Sequence, residues 1–257
     1  MKFQIPQWHD ELPSTNTTLS EWLHEGRELP DGFVLAARAQ TAGRGRYERR
    51  WLTQPGRNLT FSMLLRSAAP NMQLLSLPMA AALGVATFLE EKDVAAQTKW
   101  PNDVLVNGRK ICGILAQRGQ AVVLGIGLNV NMDTDEAAAI DRPATSLRIE
   151  TGNECAVEDV LDGLLLHLGE WIGRWQAGGF AVLRETWEAR CANMGQYVEV
   201  GEDADRCTGV VLGFGAAGQL LLRTALAGGV LGITRLLLDG NFGNALFGLL
   251  SSAKRAK

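Results

Sequence analysis

The sequence predicts an α+β fold: a mixed, mostly antiparallel sheet packed by helices, with a small β module at the C-terminal end. Three observations carry this. Extended segments are joined by hairpins rather than by β-α-β crossovers, most clearly at Asn107-Gly108 between the apolar runs 104–106 and 111–115. Leu- and Ala-rich stretches of helical length fill 74–92 and 157–176. Past Asn193 the chain turns from helical spacing to short alternating runs.

In chain order, Ser14, Thr15 and Asn16 precede Leu19, Trp22 and Leu23 at helical spacing, and Gly26 follows. That is a capped amphipathic helix with a glycine stop. Residues 33–38 read as a short buried strand. Residues 58–66 set Leu59, Phe61, Met63 and Leu65 against polar or small neighbours, a half-buried strand. Residues 74–92 read as one long helix, in which Pro78 is tolerable only near the first turn. The hairpin 104–115 and a strand 121–130, ending G-I-G-L-N-V, come next. Two helices, 157–176 and 180–191, are separated by Gly178-Gly179. Residues 196–200 alternate, and 209–223 form two short strands about 213–218. The expected division is a catalytic domain over 1–192, a small β domain over 193–235 and an atypical tail over 236–257.

The 257 residues carry a formal charge of −3 and are 46% apolar, enough for a real core. No apolar run reaches membrane-spanning length, and the first residues lack the apolar core of a signal peptide, so a cytoplasmic protein with no membrane partner is expected. Four scattered cysteines without a C-x-x-C pair read as reduced thiols and predict no bound zinc. The mild acidity argues against broad nucleic-acid binding.

The chemistry concentrates in four places. Residues 40–51 read Q-T-A-G-R-G-R-Y-E-R-R-W, with four arginines and two glycines. Glycines admit a ligand close to the backbone, guanidinium forks match carboxylate and phosphate oxygens, and the closing Trp51 offers a stacking face. By itself this loop fits a solvated basic turn as well as a lid over an anionic ligand such as an acyl phosphate. In K-W-P-N-D (99–103), Asp103 stands at a strand corner; taken alone, Asn102 and Asp103 are better read as turn residues. In G-R-K-I-C-G (108–113), Lys110 is either an edge charge or a point charge aimed at an anion. Strict alternation puts Lys110 and Gly113 on opposite faces, so a bulge is needed to unite them through side chains. Gly125 and Gly127 lie in a strand, where they leave room for a flat group. No dinucleotide fingerprint, P-loop or G-x-S-x-G elbow is present.

Taken in order, Ser14-Thr15-Asn16, Q-T-A-G-R-G-R-x-x-R-x-W, K-W-P-N-D, G-R-K-I-C-G-I-L, G-I-G-L-N-V and Ala144-Thr145-Ser146-Leu147 resemble the biotin protein ligases, over about residues 8 to 225. The resemblance implies the catalytic fold shared with class II aminoacyl-tRNA synthetases and an SH3-like barrel for the small β module. It implies that biotin and ATP, with Mg2+, give biotinyl-5′-AMP, and that a lysine of a biotin carboxyl carrier protein (an acetyl-CoA carboxylase subunit) then takes the biotinyl group. Carried over residue by residue, Ser14, Thr15, Gln40 and Gly113 would hold the ureido and ring system. Gly43, Arg44 and Lys110 would hold the carboxylate and α-phosphate, and Gly125 and Gly127 would leave space for biotin. Arg46 and Arg49 would close over the adenylate, Trp51 and Asn129 would contact adenine, and Asp103 would orient or deprotonate the acceptor amine.

Three features depart from the pattern. Tyr47 and Glu48 stand where the family often has a basic residue and Gly, and they predict readier release of the adenylate. The motifs begin at Ser14, so the resemblance is to the type without an N-terminal helix-turn-helix, and no DNA binding is expected. The stretch after 223 is atypical; 236–241 faintly resembles the opening strand of type III pantothenate kinases, and no kinase activity is expected of it. A homodimer through an exposed sheet edge is a family habit. The alternatives are a lipoate or octanoate ligase of the same fold, a non-catalytic adenylate-binding regulator, and an RNA-binding protein using the arginine loop.

Overall fold

The computed structural model describes residues 1–45, 51, 53–201, 206–225, 231–238 and 245–248. Its centre is a seven-stranded sheet made of β1 (Gln7–Leu12), β2 (Val34–Gln40), β3 (Asn58–Leu65), β4 (Gln97–Lys99), β5 (Asp103–Val106), β6 (Arg109–Arg118) and β7 (Val122–Asn129). The spatial order is β1-β2-β3-β7-β6-β5-β4. The β1–β2 pair is parallel and every other neighbouring pair is antiparallel, the mixed sheet that the hairpins predict. β1 carried no sequence signal: Q-W-H-D-E-L has no apolar alternation because it is an exposed edge strand, held by its ladder to β2.

Alternation along β3 sorts the two faces. Leu59, Phe61, Met63 and Leu65 enter the main core, under α3 (Leu77–Glu90) and α6 (Val157–Gly178). The long helix expected over 74–92 is broken into α2 (Asn71–Leu74) and α3, with Pro78 in the first turn of α3, where its missing N–H costs nothing. The stretch 71–90 is long and apolar enough to cross a membrane, but most of it is buried within the protein. Two indoles fasten α6 to this layer: Trp175 Nε1 donates to Ser76 Oγ and Trp171 Nε1 to Thr87 Oγ1, both at 3.0 Å. On the other face, α1 (Thr15–His24) lays Leu19 and Leu23 over Leu35, Leu64 and Val123. α1 covers only part of that face.

Two short helices, α4 (Thr134–Ala138) and α5 (Leu147–Thr151), follow β7, and after α7 (Arg184–Arg190) comes a five-stranded antiparallel sheet, ordered β12-β11-β10-β9-β8, in keeping with an SH3-like module. It comprises β8 (Tyr197–Val200), β9 (Cys207–Phe214), β10 (Leu220–Ala225), β11 (Leu231–Leu238) and β12 (Ala245–Gly248). β11 runs through residue 235, where the small domain was expected to close, and β12 lies in the stretch read as a tail. The backbone ladder of β10 is what carries the sheet onward, since an open edge there would leave its N–H and C=O groups unpaired. Val211, Phe214, Leu220 and Leu222 join the main core, Trp100 Nε1 donates to Gly218 O at 3.0 Å, and Arg184 donates to Phe214 O at 2.8 Å.

Candidate active site

The uncovered half of the sheet presents a row of small and polar residues. Thr60 on β3 pairs with Gly127 on β7, Gly127 with Gly113 on β6, and Gly113 with Asp103 on β5. These share one face, and the two glycines leave its floor flat. Lys110 joins them through the required bulge. Val104 pairs with Cys112 but Leu105 pairs with Lys110, so Ile111 is an extra residue in β6. The Lys110 ammonium therefore lies on the Gly113 side, where a Cβ on Gly113 would stand 3.0 Å from Nζ. It pairs with Asp103 Oδ1 at 2.6 Å, both side chains half-buried. The same sequence element that breaks alternation thus creates the ion pair.

The bulge is supported from outside the sheet. Lys110 N donates to Pro143 O and Thr145 N donates to Lys110 O, each at 2.9 Å. The A-T-S-L segment, to which sequence reasoning gave no role, is the brace for Lys110. Glu150 fixes that brace to the hairpin tip by accepting from Thr145 Oγ1 at 2.5 Å and from Arg109 at 2.8 Å. Asn102 locks the strand corner through a 2.5 Å bond from Nδ2 to Ile114 O, after a cis Trp100–Pro101 peptide. Beneath, Cys112 is fully buried, and burial pushes its thiol well above the ordinary range, so it is neutral and unreactive.

Trp51 covers the floor. A Cβ on Gly127 would come within 2.7 Å of the indole Nε1, and one on Gly113 within 3.2 Å of Cζ3. Lys110 Nζ lies 5.7 Å from the ring. The indole Nε1 is buried without a hydrogen-bond partner among the described residues. A glycine cradle beneath a flat ring whose donor is unsatisfied suits a planar ligand with acceptor atoms at its edge. Trp51 N donates to Gly43 O at 2.9 Å, which closes the loop, and Gly43 has no room for a side chain because Trp51 O would be 2.7 Å from its Cβ. Arg44 is exposed at the start of this loop. Arg46 and Arg49, with Tyr47 and Glu48, lie outside the described residues.

At the other end of the row is a polar cluster. Ser14 caps α1 by accepting from Thr17 N. Thr15 N, one of the unpaired donors at the helix start, gives its hydrogen to Gln40 Oε1 at 2.7 Å. Gln40 is itself held through its backbone by Thr53 Oγ1. Ser62 Oγ lies 2.7 Å from Thr15 Oγ1 and 2.6 Å from Asn16 Oδ1. Asn16 fills the volume that Gly125 leaves, since a Cβ there would stand 2.8 Å from Asn16 Cγ. The space directly over Gly125 and Gly127, assigned to biotin from the sequence, is thus occupied by the Asn16 amide and the Trp51 indole. Asn129 is 5% exposed and spends two hydrogen bonds on the fold, accepting from Asn58 Nδ2 at 2.8 Å and donating to Thr145 O at 3.0 Å. These two bonds use one of its two amide N–H groups and one of its two carbonyl lone pairs. Sequence reasoning missed Asn58, Thr60 and Ser62, whose only signal is polar residues at the alternate positions of β3, the other positions being core; Asn16 stood in the Ser14-Thr15-Asn16 motif without a role. Among the described residues no cluster of three His, Cys, Asp or Glu side chains forms a metal site.

The chain is similar in sequence and fold to known proteins. The family model described as "Biotin/lipoate A/B protein ligase family" matches residues 8–133. The biotin–[acetyl-CoA-carboxylase] ligase of Paracoccus denitrificans is 33% identical over 224 residues, 82% of this chain and 92% of the relative. The bifunctional ligase/repressor BirA of Bacillus subtilis (strain 168) is 32% identical over 225 residues, 84% of this chain and 69% of the relative. A solved structure of the biotin protein ligase from Aquifex aeolicus, in complex with biotin and ATP, superposes with a TM-score of 0.77 at 30% identity, covering 99% of this chain and 100% of that one. With a relative one-third identical over nearly its whole length and a solved fold matched end to end, this chain belongs to the biotin protein ligases of the biotin/lipoate A/B protein ligase family.

Proposed function

We propose that this protein activates biotin with ATP and transfers the biotinyl group to a lysine of a biotin carboxyl carrier domain, of the kind found in acetyl-CoA carboxylase, and that it works in the cytoplasm. The observation that carries the reading is the bulged Lys110, paired with Asp103 beside a floor of Gly113 and Gly127.

In the first step a biotin carboxylate oxygen attacks the α-phosphorus of ATP and pyrophosphate leaves. Both reactants are anions, so a preorganised cation at their meeting point lowers the barrier. Lys110 supplies it, and Arg44 adds a second positive charge from the loop. Trp51 and Asn129 take the adenine edge and face. Mg2+, when bound with the nucleotide, would neutralise charge on the phosphates; with no cluster of three His, Cys, Asp or Glu side chains among the described residues to hold it, it would arrive on phosphate oxygens and water. Thr15 and Gln40 hold the ureido end. In the second step the carrier amine attacks the acyl carbon, AMP leaves, and the amine proton passes to Asp103. Lys110 holds Asp103 until an anion arrives to compete for the ammonium; Asp103 is then free to receive the acceptor amine.

The test is intact-mass spectrometry of a carrier domain incubated with the protein, biotin and Mg·ATP. A gain of one biotinyl group, absent without ATP and absent when lipoate or octanoate replaces biotin, is the expected result. A carrier that gains no mass, or gains it from lipoate instead, overturns the reading.

A further inference from the structure

The cluster at the start of α1 contains more oxygen contacts than hydroxyl protons, and the count decides which way its hydrogen bonds run. Three contacts are involved: Thr15 Oγ1 to Gln40 Oε1 at 3.2 Å, Thr15 Oγ1 to Ser62 Oγ at 2.7 Å, and Ser62 Oγ to Asn16 Oδ1 at 2.6 Å. Only two hydroxyl protons are available. The amide ends are fixed. Asn16 Nδ2 faces Leu115 O at 3.3 Å, a carbonyl that can only accept, and Gln117 Oε1 at 3.1 Å. Oδ1 is therefore the atom turned to Ser62, and it can only accept. Likewise Thr15 N can only donate, which makes the Gln40 atom opposite it Oε1 and sends Nε2 toward Gly43.

One of the three contacts must go without a proton. The two short ones hold the protons, and the 3.2 Å contact is the one left bare. Ser62 then donates to Asn16, and Thr15 donates to Ser62. Reversing the chain would put Ser62 Oγ and Asn16 Oδ1 at 2.6 Å with no hydrogen between them, at a site where Ser62 is fully buried.

We infer that Ser62 and Asn16 are positioning residues for biotin recognition: they draw the Thr15 hydroxyl proton inward, so that Thr15 Oγ1 meets the ligand as an acceptor and reads a ureido N–H. This rests on the biotin reading above and adds two residues that touch no ligand. It explains why a strand with an apolar alternate face carries a serine at full burial, and why Gly125 gives up its side chain to Asn16. It also gives a source of specificity: a cyclic urea brings an N–H to Thr15, whereas a dithiolane ring brings none and leaves the acceptor unpaired.

A double-mutant cycle on biotin binding tests it, using Ser62→Ala and Thr15→Val with the dissociation constant for biotin measured by calorimetry. If Ser62 acts through the Thr15 hydroxyl, each single change weakens biotin about tenfold and the pair together by about ten- to twentyfold, well short of the ~100-fold product. The KM for ATP stays near wild type. Wild-type affinity in Ser62→Ala, or effects that multiply, would overturn the inference. Should Ser62→Ala not fold, Ser62→Cys keeps the volume, weakens the hydrogen bonds and gives the same cycle. Wild-type protein that binds no biotin at all removes the proposed function itself; wild-type binding with multiplicative effects removes this inference alone.

Discussion

Along β3, neighbouring residues are equally buried and do opposite jobs. Leu59, Phe61 and Met63 are at 0% exposure, and Asn58, Thr60 and Ser62 at 7%, 2% and 0%. The first set packs under α3 and α6 and makes the core. The second faces Gly125, Gly127 and Asn129 across the ladder and takes part in a hydrogen-bonded array with Asn16, Thr15 and Ala37. Burial of polar groups is costly unless they are satisfied, so a strand that accepts that cost on one face only is doing so for something other than stability. The site is a second, polar interior that shares its backbone with the hydrophobic one.

Substitutions on the two faces should therefore fail in different assays. The largest effect belongs to the apolar face: Phe61→Ala should lower unfolding free energy by about 3–5 kcal/mol, read by urea denaturation, while folded protein keeps its affinity for biotin. On the polar face, Lys110→Ala should slow adenylate formation by about 100-fold or more, measured by biotin-dependent pyrophosphate exchange, with a melting temperature close to wild type. If Lys110→Ala instead melts early and binds normally, the two faces are not separable in this way. Asp103→Asn should leave the exchange reaction within a few-fold and slow transfer from the adenylate to the carrier by about 100-fold. Equal losses in both half-reactions would place Asp103 with Lys110 rather than with the acceptor amine. The smallest effect lies away from both faces. Trp100→Phe removes the bond to Gly218 O that ties the small sheet to the catalytic one, and should cost about 1 kcal/mol of stability without touching adenylate formation.

The apolar face was legible from the sequence because its signal is periodic. Leu59, Phe61, Met63 and Leu65 announce the strand, and the Asn107-Gly108 turn (φ 51° and 73°) announces the hairpin and its register. On the motifs, the structure brings Lys110, Asp103, Gly113 and Gly127 together, and the bulge needed to unite Lys110 with Gly113 is present at Ile111. What could not be read was pairing at a distance. Nothing local says that Asn16 will fill the gap above Gly125, that Pro143 and Thr145 will brace the bulge, or that Ser62 will sit between Thr15 and Asn16. Those facts depend on β3, β6 and β7 lying side by side, and a strand order is a property of the whole chain. β1 and β11 escaped for a related reason. Their strand character comes from ladders offered by β2 and β10, and the polar sequence of β1 carries no apolar alternation.

A crystal structure with biotin and ATP measures directly where the reactants lie. Density is expected along the row from Thr15 and Gln40 to Lys110, over Gly127 and Gly113, with the Trp51 indole moved off the glycine floor and the Lys110 ammonium on the carboxylate or α-phosphate. Ligands bound elsewhere, with Trp51 still seated on Gly127 and Lys110 still paired only to Asp103, would contradict this placement.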